Sequence, residues 1–230
     1  MPVVFLSSRF SSAIRGLQNP YAGVITTLMK MRLALSAGAV LGIAFVVAAC
    51  TTSRAGYETA AYSVLSSKDK FEVRDYPELK VVSTAMDPAS KERDGRFMKL
   101  FRYIDGENAA SQKVAMTTPV FMTPGSSQAA GAGTGEKMNF VVPTEVAVAG
   151  APAPKAEDVI LETMPAQRVA VVRFSGSSNP ALEKEKLAEL RSWMEQEKLT
   201  AAGEPFTAYY DPPWTPGPLR RNEVLVPVKK

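Results

Sequence analysis

The chain of 230 residues contains no histidine and one cysteine, Cys50. Without histidine it lacks the commonest metal ligand and the commonest general base at neutral pH. Ser-His-Asp and Cys-His catalysis are excluded. A single cysteine excludes an intrachain disulfide and a cysteine-based zinc site. Acidic residues are missing from positions 1–49, which carry Arg9, Arg15, Lys30 and Arg32. Taking those four from the 27 basic residues leaves 23, equal to the 23 acidic ones. The net charge of +4 therefore belongs to the N-terminal segment, and the neutral body has no electrostatic footprint for nucleic acid.

Residues 29–50, "MKMRLALSAGAVLGIAFVVAAC", explain that segment. Lys30 and Arg32 form a basic start, residues 33–47 an apolar stretch, and "VAAC" a run of small residues closing on the cysteine. The stretch resembles a bacterial lipoprotein signal, which implies cleavage before Cys50 and lipidation of Cys50. The alternative is an uncleaved membrane helix, for which 33–49 is at the lower limit of length. Residues 1–49 are expected to be leader and signal, and 50–70 a tether. In the lipoproteins it resembles an acidic residue after the cysteine favours the inner membrane, so the resemblance with Thr51 there implies a chain held by its lipid in the bacterial envelope, at the outer membrane facing the periplasm in a cell that has one.

From residue 71 the hydrophobicity is regular. "KFEVRDYPELKVVSTAM" predicts two strands broken at Tyr76-Pro77. Phe97, Leu100, Phe101 and Ile104 recur at helical spacing, and Gly106 marks the stop. "KVAM" and "VFMT" predict strands on either side of Thr117-Thr118-Pro119, and "MNFVVP" another. Residues 124–137 and 147–156 read as loops. The order then recurs: "VILETMPAQRVAVVRFSG" as two strands broken at Pro165, a helix over 179–199 capped by Asn179-Pro180, and strands "EPFTAYYD" and "NEVLVPV". Pro77 and Val81 match Pro165 and Val169 at one offset. The expected fold is α+β: a duplicated strand-strand-helix-strand-strand half (71–143 and 159–228) forming one domain over 71–230.

Three separated motifs go beyond composition: "FEVRDY" (71–76), "KVAMTTPV" (113–120) and "YDPPWTPGPLRRNEV" (210–224). In these the chain resembles the SOUL haem-binding protein family, collinearly over about 57–230. The resemblance implies a distorted eight-stranded antiparallel barrel with two helices. It also implies non-covalent binding of haem or another tetrapyrrole in a shallow hydrophobic groove beside the first helix. Some members place an arginine near the propionates, and here Arg93 and Arg96 bracket that point. Certain members ligate iron through histidine, which this chain cannot do.

The residues themselves permit such a guest. A porphyrin is a flat apolar disc with two carboxylates, and it needs an apolar slot with cations at the rim. Phe97, Leu100, Phe101 and Ile104 offer one wall, Met116 and Met122 adaptable ones, and Tyr209, Tyr210 and Trp214 flat aromatic surface. The same pattern also fits ordinary core packing, and Arg96 a solvated face. In "DPPWTPGPLRRNE" four prolines and the trio Arg220, Arg221 and Glu223 read as a braced loop. The expected function is a binding protein, not an enzyme. The alternative is an enzyme or effector-binding module acting on another flat amphipathic molecule.

Overall fold

A computed structural model describes residues 56–85, 93–124, 136–177 and 179–230. Cys50 and the whole signal stretch lie outside the described residues, as does the side chain of Arg93. The elements are β1 (Glu58–Thr59), β2 (Ser63–Lys68), β3 (Phe71–Tyr76), β4 (Leu79–Ala85), α1 (Arg93–Ile104), β5 (Thr117–Thr118), β6 (Val120–Thr123) and β7 (Lys137–Val141), followed by α2 (Thr144–Ala149), β8 (Ile160–Met164), β9 (Gln167–Phe174), α3 (Pro180–Gln196), β10 (Phe206–Tyr209) and β11 (Asn222–Pro227). A short 3₁₀ turn covers Gly217–Leu219.

Nine strands form one curled antiparallel sheet in the order β2-β3-β9-β11-β10-β6-β7-β4-β8. The breaks at Pro77 and Pro165 are corners inside long strands. Phe71 faces Val172 and Tyr76 faces Gln167. Past the corner Leu79 faces Met164 and Ser83 faces Ile160 in the same register. Each long strand thus joins both halves of the sheet. A proline removes a ladder donor, and the bend falls where that donor is missing.

Side chains alternate faces along these strands. The face that the curl encloses carries Tyr76, Val81, Phe121, Val141, Val169, Val171, Phe206, Ala208 and Leu225. On the outer face α3 packs Leu190, Trp193 and Met194 against Val73, Ala170, Val172, Val224 and Val226. There too α1 packs Leu100, Tyr103 and Ile104 against Val82 and Phe140. Both helices end as their sequences indicate. Asn179 Oδ1 accepts from the Leu182 N–H at 2.9 Å, with Pro180 at the first helical position. Gly106, at φ +111°, follows the end of α1, where a side chain would be strained.

Several expectations need correction. The stretch 50–70 is not wholly a tether: β2 (63–68) is an edge strand on β3, and β1 pairs in parallel with β5. "KVAM" forms no strand, because the Val114 N–H turns back to the Ile104 carbonyl at 2.8 Å and caps α1. The chain becomes extended only at Thr117-Thr118 and Val120–Thr123, on either side of a cis Thr118-Pro119 bond. The expected loop 147–156 begins inside a third helix, α2. Nine sheet strands and three helices therefore stand where eight and two were expected. Among the described residues no helix is long and apolar enough to cross a membrane.

Candidate functional site: the strip between the two helices

The outer faces of β7, β6 and β10 lie between α1 and α3. Register places Phe140 beside Val120 and Met138 beside Met122. The same register places Met122 beside Thr207 and Val120 beside Tyr209. At the usual strand spacing this floor is about 10 Å wide. Its α3 side is a cleft of about 350 Å³ bordered by Met122, Thr207, Val224 and Leu187, with Glu136, Glu183 and Lys184 at its rim.

Helix α1 forms the other side, rotated from the expected stripe. Its buried positions are Arg96, Leu100, Tyr103 and Ile104. Phe97, Met98 and Phe101 are exposed. Tyr103 takes the inward place because its hydroxyl donates to the Pro152 carbonyl at 2.8 Å. Leu100 and Ile104 are thus core residues under the helix, not groove lining. Phe97 and Phe101 stack with centroids 6.1 Å apart, and Phe97 meets the Phe140 ring edge-on at 5.3 Å. An aromatic ledge therefore continues into the floor of the strip.

Arg96 is 6% exposed, so it is not the solvated arginine its sequence position allows. Its Nη1 lies 3.5 Å from Glu136 Oε2. That is beyond a good charged hydrogen bond, and Nη1 has no hydrogen-bond partner among the described residues. The Thr207 hydroxyl on the floor is also buried and without one. A buried donor left unmade costs about 1–3 kcal/mol, so both atoms favour a ligand that supplies acceptors. Glu136 borders the cleft and pairs with Arg96, which ties the two sides of the strip together.

The remaining expected residues divide. Met122 borders the cleft. Met116 is half-buried against the cluster under α1. Tyr209 is half-buried at the end of the strip, its hydroxyl donating to Glu183 Oε1 at 2.7 Å. Tyr210 points the other way, into the enclosed face. The physical reason is strand alternation, which sends neighbours to opposite sides. Trp214 is 80% exposed on its loop.

Tyr210 belongs to a charged network that the sequence reading did not assemble. Arg74 and Glu223 are both fully buried on the enclosed face. They form a two-pronged pair, Nη1 to Oε2 at 2.8 Å and Nη2 to Oε1 at 3.0 Å. Arg74 Nε also donates to Glu72 at 2.7 Å. Glu223 accepts from Arg221 at 2.7 Å and from the Tyr210 hydroxyl at 2.9 Å. Burial alone would raise the Glu223 carboxyl. The hydrogen bonds and charges of Arg74 and Arg221 outweigh it and hold the group below the usual glutamate range. Burial pushes Tyr76 up to about 12 and Tyr210 further still. The network braces one end of the curl and presents no open surface. One signal was available: an arginine and a glutamate at otherwise apolar strand positions imply a buried partner.

The strand carboxylates Asp75, Glu162 and Glu72 are each engaged by a cation. Asp75 is gripped by Arg168 at 2.8 and 2.9 Å, which lowers its carboxyl. Glu162 sits between Lys137 and Ser83, and Glu72 on Arg74. Among the described residues no group of three histidine, cysteine, aspartate or glutamate side chains is placed to hold a metal.

A family model described as SOUL heme-binding protein matches residues 57–227. No curated protein matches the sequence. Among solved structures, the EcmrR protein in its complex with DNA is similar at TM-score 0.51 and 15% identity, over 89% of this chain and 70% of that one. An uncharacterized conserved protein of Listeria innocua is similar at TM-score 0.50 and 17% identity, over 70% and 93%. A hydrolase of the same organism follows at 0.48 and 17%, over 72% and 94%. At these identities the likeness is one of fold.

Proposed function

The chain belongs to the SOUL heme-binding protein family, and on that premise we propose that it holds haem or a similar tetrapyrrole, non-covalently, on the strip between α1 and α3. The macrocycle lies over Met122, Met138 and Val120, with an edge against the Phe97–Phe101 ledge. One propionate takes Arg96 Nη1, displacing the long contact to Glu136, and Lys184 serves a second from the opposite rim. The observation that carries this reading is the buried Nη1 of Arg96, which has only a long ion-pair contact to Glu136 and no hydrogen-bond partner among the described residues, beside exposed aromatic rings. The chain has no histidine, so iron receives at most a weak ligand such as a methionine thioether, a tyrosine or a lysine, and binding rests on the faces and edges of the ring. The protein is a carrier or sensor rather than an enzyme. We read its two strand-strand-helix-strand-strand runs as copies of one half whose strands close a barrel. We place it in the bacterial envelope, held through lipidated Cys50.

Titration of the chain with haemin, followed at the Soret band, tests the reading. Saturable binding is expected. Met122→Glu should weaken it more than tenfold, since an unpaired carboxylate against the macrocycle costs several kcal/mol. Arg96→Ala should cost about 1.5–3 kcal/mol, the range for hydrogen bonds to charged groups. That is more than a surface pair would give. Absence of saturable binding at tens of micromolar overturns the proposal.

One observation favours a second reading. Glu136 and Glu183 both border the cleft, and carboxylates suit a flat cation as well as arginine suits a propionate. An aromatic cation that displaces haemin competitively, and binds tighter than haemin, would make this the better account.

A further inference from the structure

The loop from Tyr210 to Arg221 is held from several sides, yet it leaves its largest side chain bare. The Arg221 N–H donates to Asp211 Oδ2 at 2.6 Å. Arg220 Nε donates to the Thr215 carbonyl at 2.7 Å, and Arg220 Nη2 also reaches the Pro213 carbonyl. The Gly176 N–H donates to the Gly217 carbonyl at 2.9 Å. Thr215 is buried beneath the loop, and prolines stand at 212, 213, 216 and 218. A loop fixed in this way loses little entropy when it docks. Trp214 is nevertheless 80% exposed at its tip.

The position of the loop indicates its partner. Tyr209 faces Val120 at the end of the β10–β6 ladder. Just beyond, the Ala60 N–H donates to the Thr118 carbonyl at 2.8 Å, and Thr59 lies beside Thr118. Arg221 donates to the Tyr62 hydroxyl at 3.3 Å. Residues 58–62 therefore run along the end of the sheet that carries this loop, and Trp214 is at most about 10 Å of chain from Asp211. Tyr57, also exposed, directly precedes Glu58, which pairs with Thr117. It is seven residues from Cys50, a reach of no more than about 25 Å. A lipid on Cys50 would hold this end of the domain close to the bilayer. Tryptophan and tyrosine are the side chains that settle at the membrane-water interface, because each is apolar in body and polar at the tip.

We propose that Trp214, on its braced loop, inserts into the headgroup region of the membrane to which Cys50 is anchored and so fixes the orientation of the domain on that surface. The proposal rests on the envelope-anchor reading. The test uses the full acylated chain in vesicles of phosphatidylethanolamine and phosphatidylglycerol doped with lipids brominated near the headgroup or near the chain end. Flotation reports anchoring separately from insertion. The chain has two tryptophans, and Trp193 is buried under α3 and stacked on Phe71 at 5.1 Å. Roughly half of the emission should therefore be quenched, more by the shallow bromines than by the deep ones. The quenching should vanish in Trp214→Phe and in unacylated Cys50→Ser. Flotation of the wild type without quenching overturns the insertion and points to a protein partner for Trp214. Failure to float overturns the anchor, and the insertion with it. Equal quenching in Trp214→Phe would assign the signal to Trp193 and also overturn the proposal.

Discussion

Replacing Glu223 by glutamine removes the anion that the buried Arg74 and half-buried Arg221 guanidiniums share. Arg74 then keeps the Glu72 ion pair and a long contact to the Tyr76 hydroxyl at 3.4 Å, and Arg221, whose side chain is 24% exposed, keeps partial access to water. Removing one partner of a buried pair costs about 3–5 kcal/mol, and those two compensations favour the lower end. At about 2–4 °C per kcal/mol for a domain of this size, thermal unfolding at neutral pH should fall by about 6–12 °C. The penalty depends on pH in a defined direction. The Glu223 carboxyl is held below its ordinary value in the folded state. Its stabilisation is therefore complete above the unfolded glutamate value of about 4.3 and is lost as pH falls through the depressed one. The gap between wild type and Glu223→Gln should be constant from about pH 6 to 8 and close in acid. Calorimetry or circular dichroism melts across that range measure it. A shift under about 3 °C at neutral pH, or a gap that widens in acid, would refute the account of the enclosed face.

Other perturbations probe separate links. Asn179→Ala removes the cap of α3 and should cost about 1 kcal/mol with no change in ligand affinity, checked by urea unfolding. Thr207→Val removes a buried hydroxyl that has no partner among the described residues, so the free protein should be as stable or slightly more stable, while binding to the strip weakens. Tyr76, pushed up to about 12, and Tyr210, raised further, stay protonated in the fold. Raised values keep their stabilisation below about pH 10 and lose it as pH climbs through 12. Burial raises Tyr103 as well, so by ultraviolet difference absorbance at least two of the seven tyrosines should ionise only as the fold melts, and early ionisation of all seven would contradict their burial.

Local signals in the sequence translate directly into structure. Pro77 and Pro165 mark the corners, Gly106 ends α1 and Asn179-Pro180 opens α3, because each acts through its own backbone geometry. What depended on distant partners was harder to read. Arg74 and Glu223 are 149 positions apart and meet only through sheet curvature. The rotation of α1 was hidden because helical spacing leaves about one position of slack. Pro152, reached through the Tyr103 hydroxyl, and Glu136, reached through Arg96, decided it. Tyr209 and Tyr210 look alike in sequence, yet strand alternation sends one to the strip and the other to the enclosed face. Edge strand β2, exposed along its length, carries too weak a hydrophobic pattern to be told from a tether.

The methionine methyl groups offer the most direct view of the strip. With methyl-labelled methionine, substoichiometric haemin should broaden Met122 and Met138 first through the paramagnetic iron. Met194, under α3, and Met164, packed against the enclosed face, should stay sharp. Broadening that begins at Met194 or Met164 while Met122 is untouched would contradict a site between the two helices.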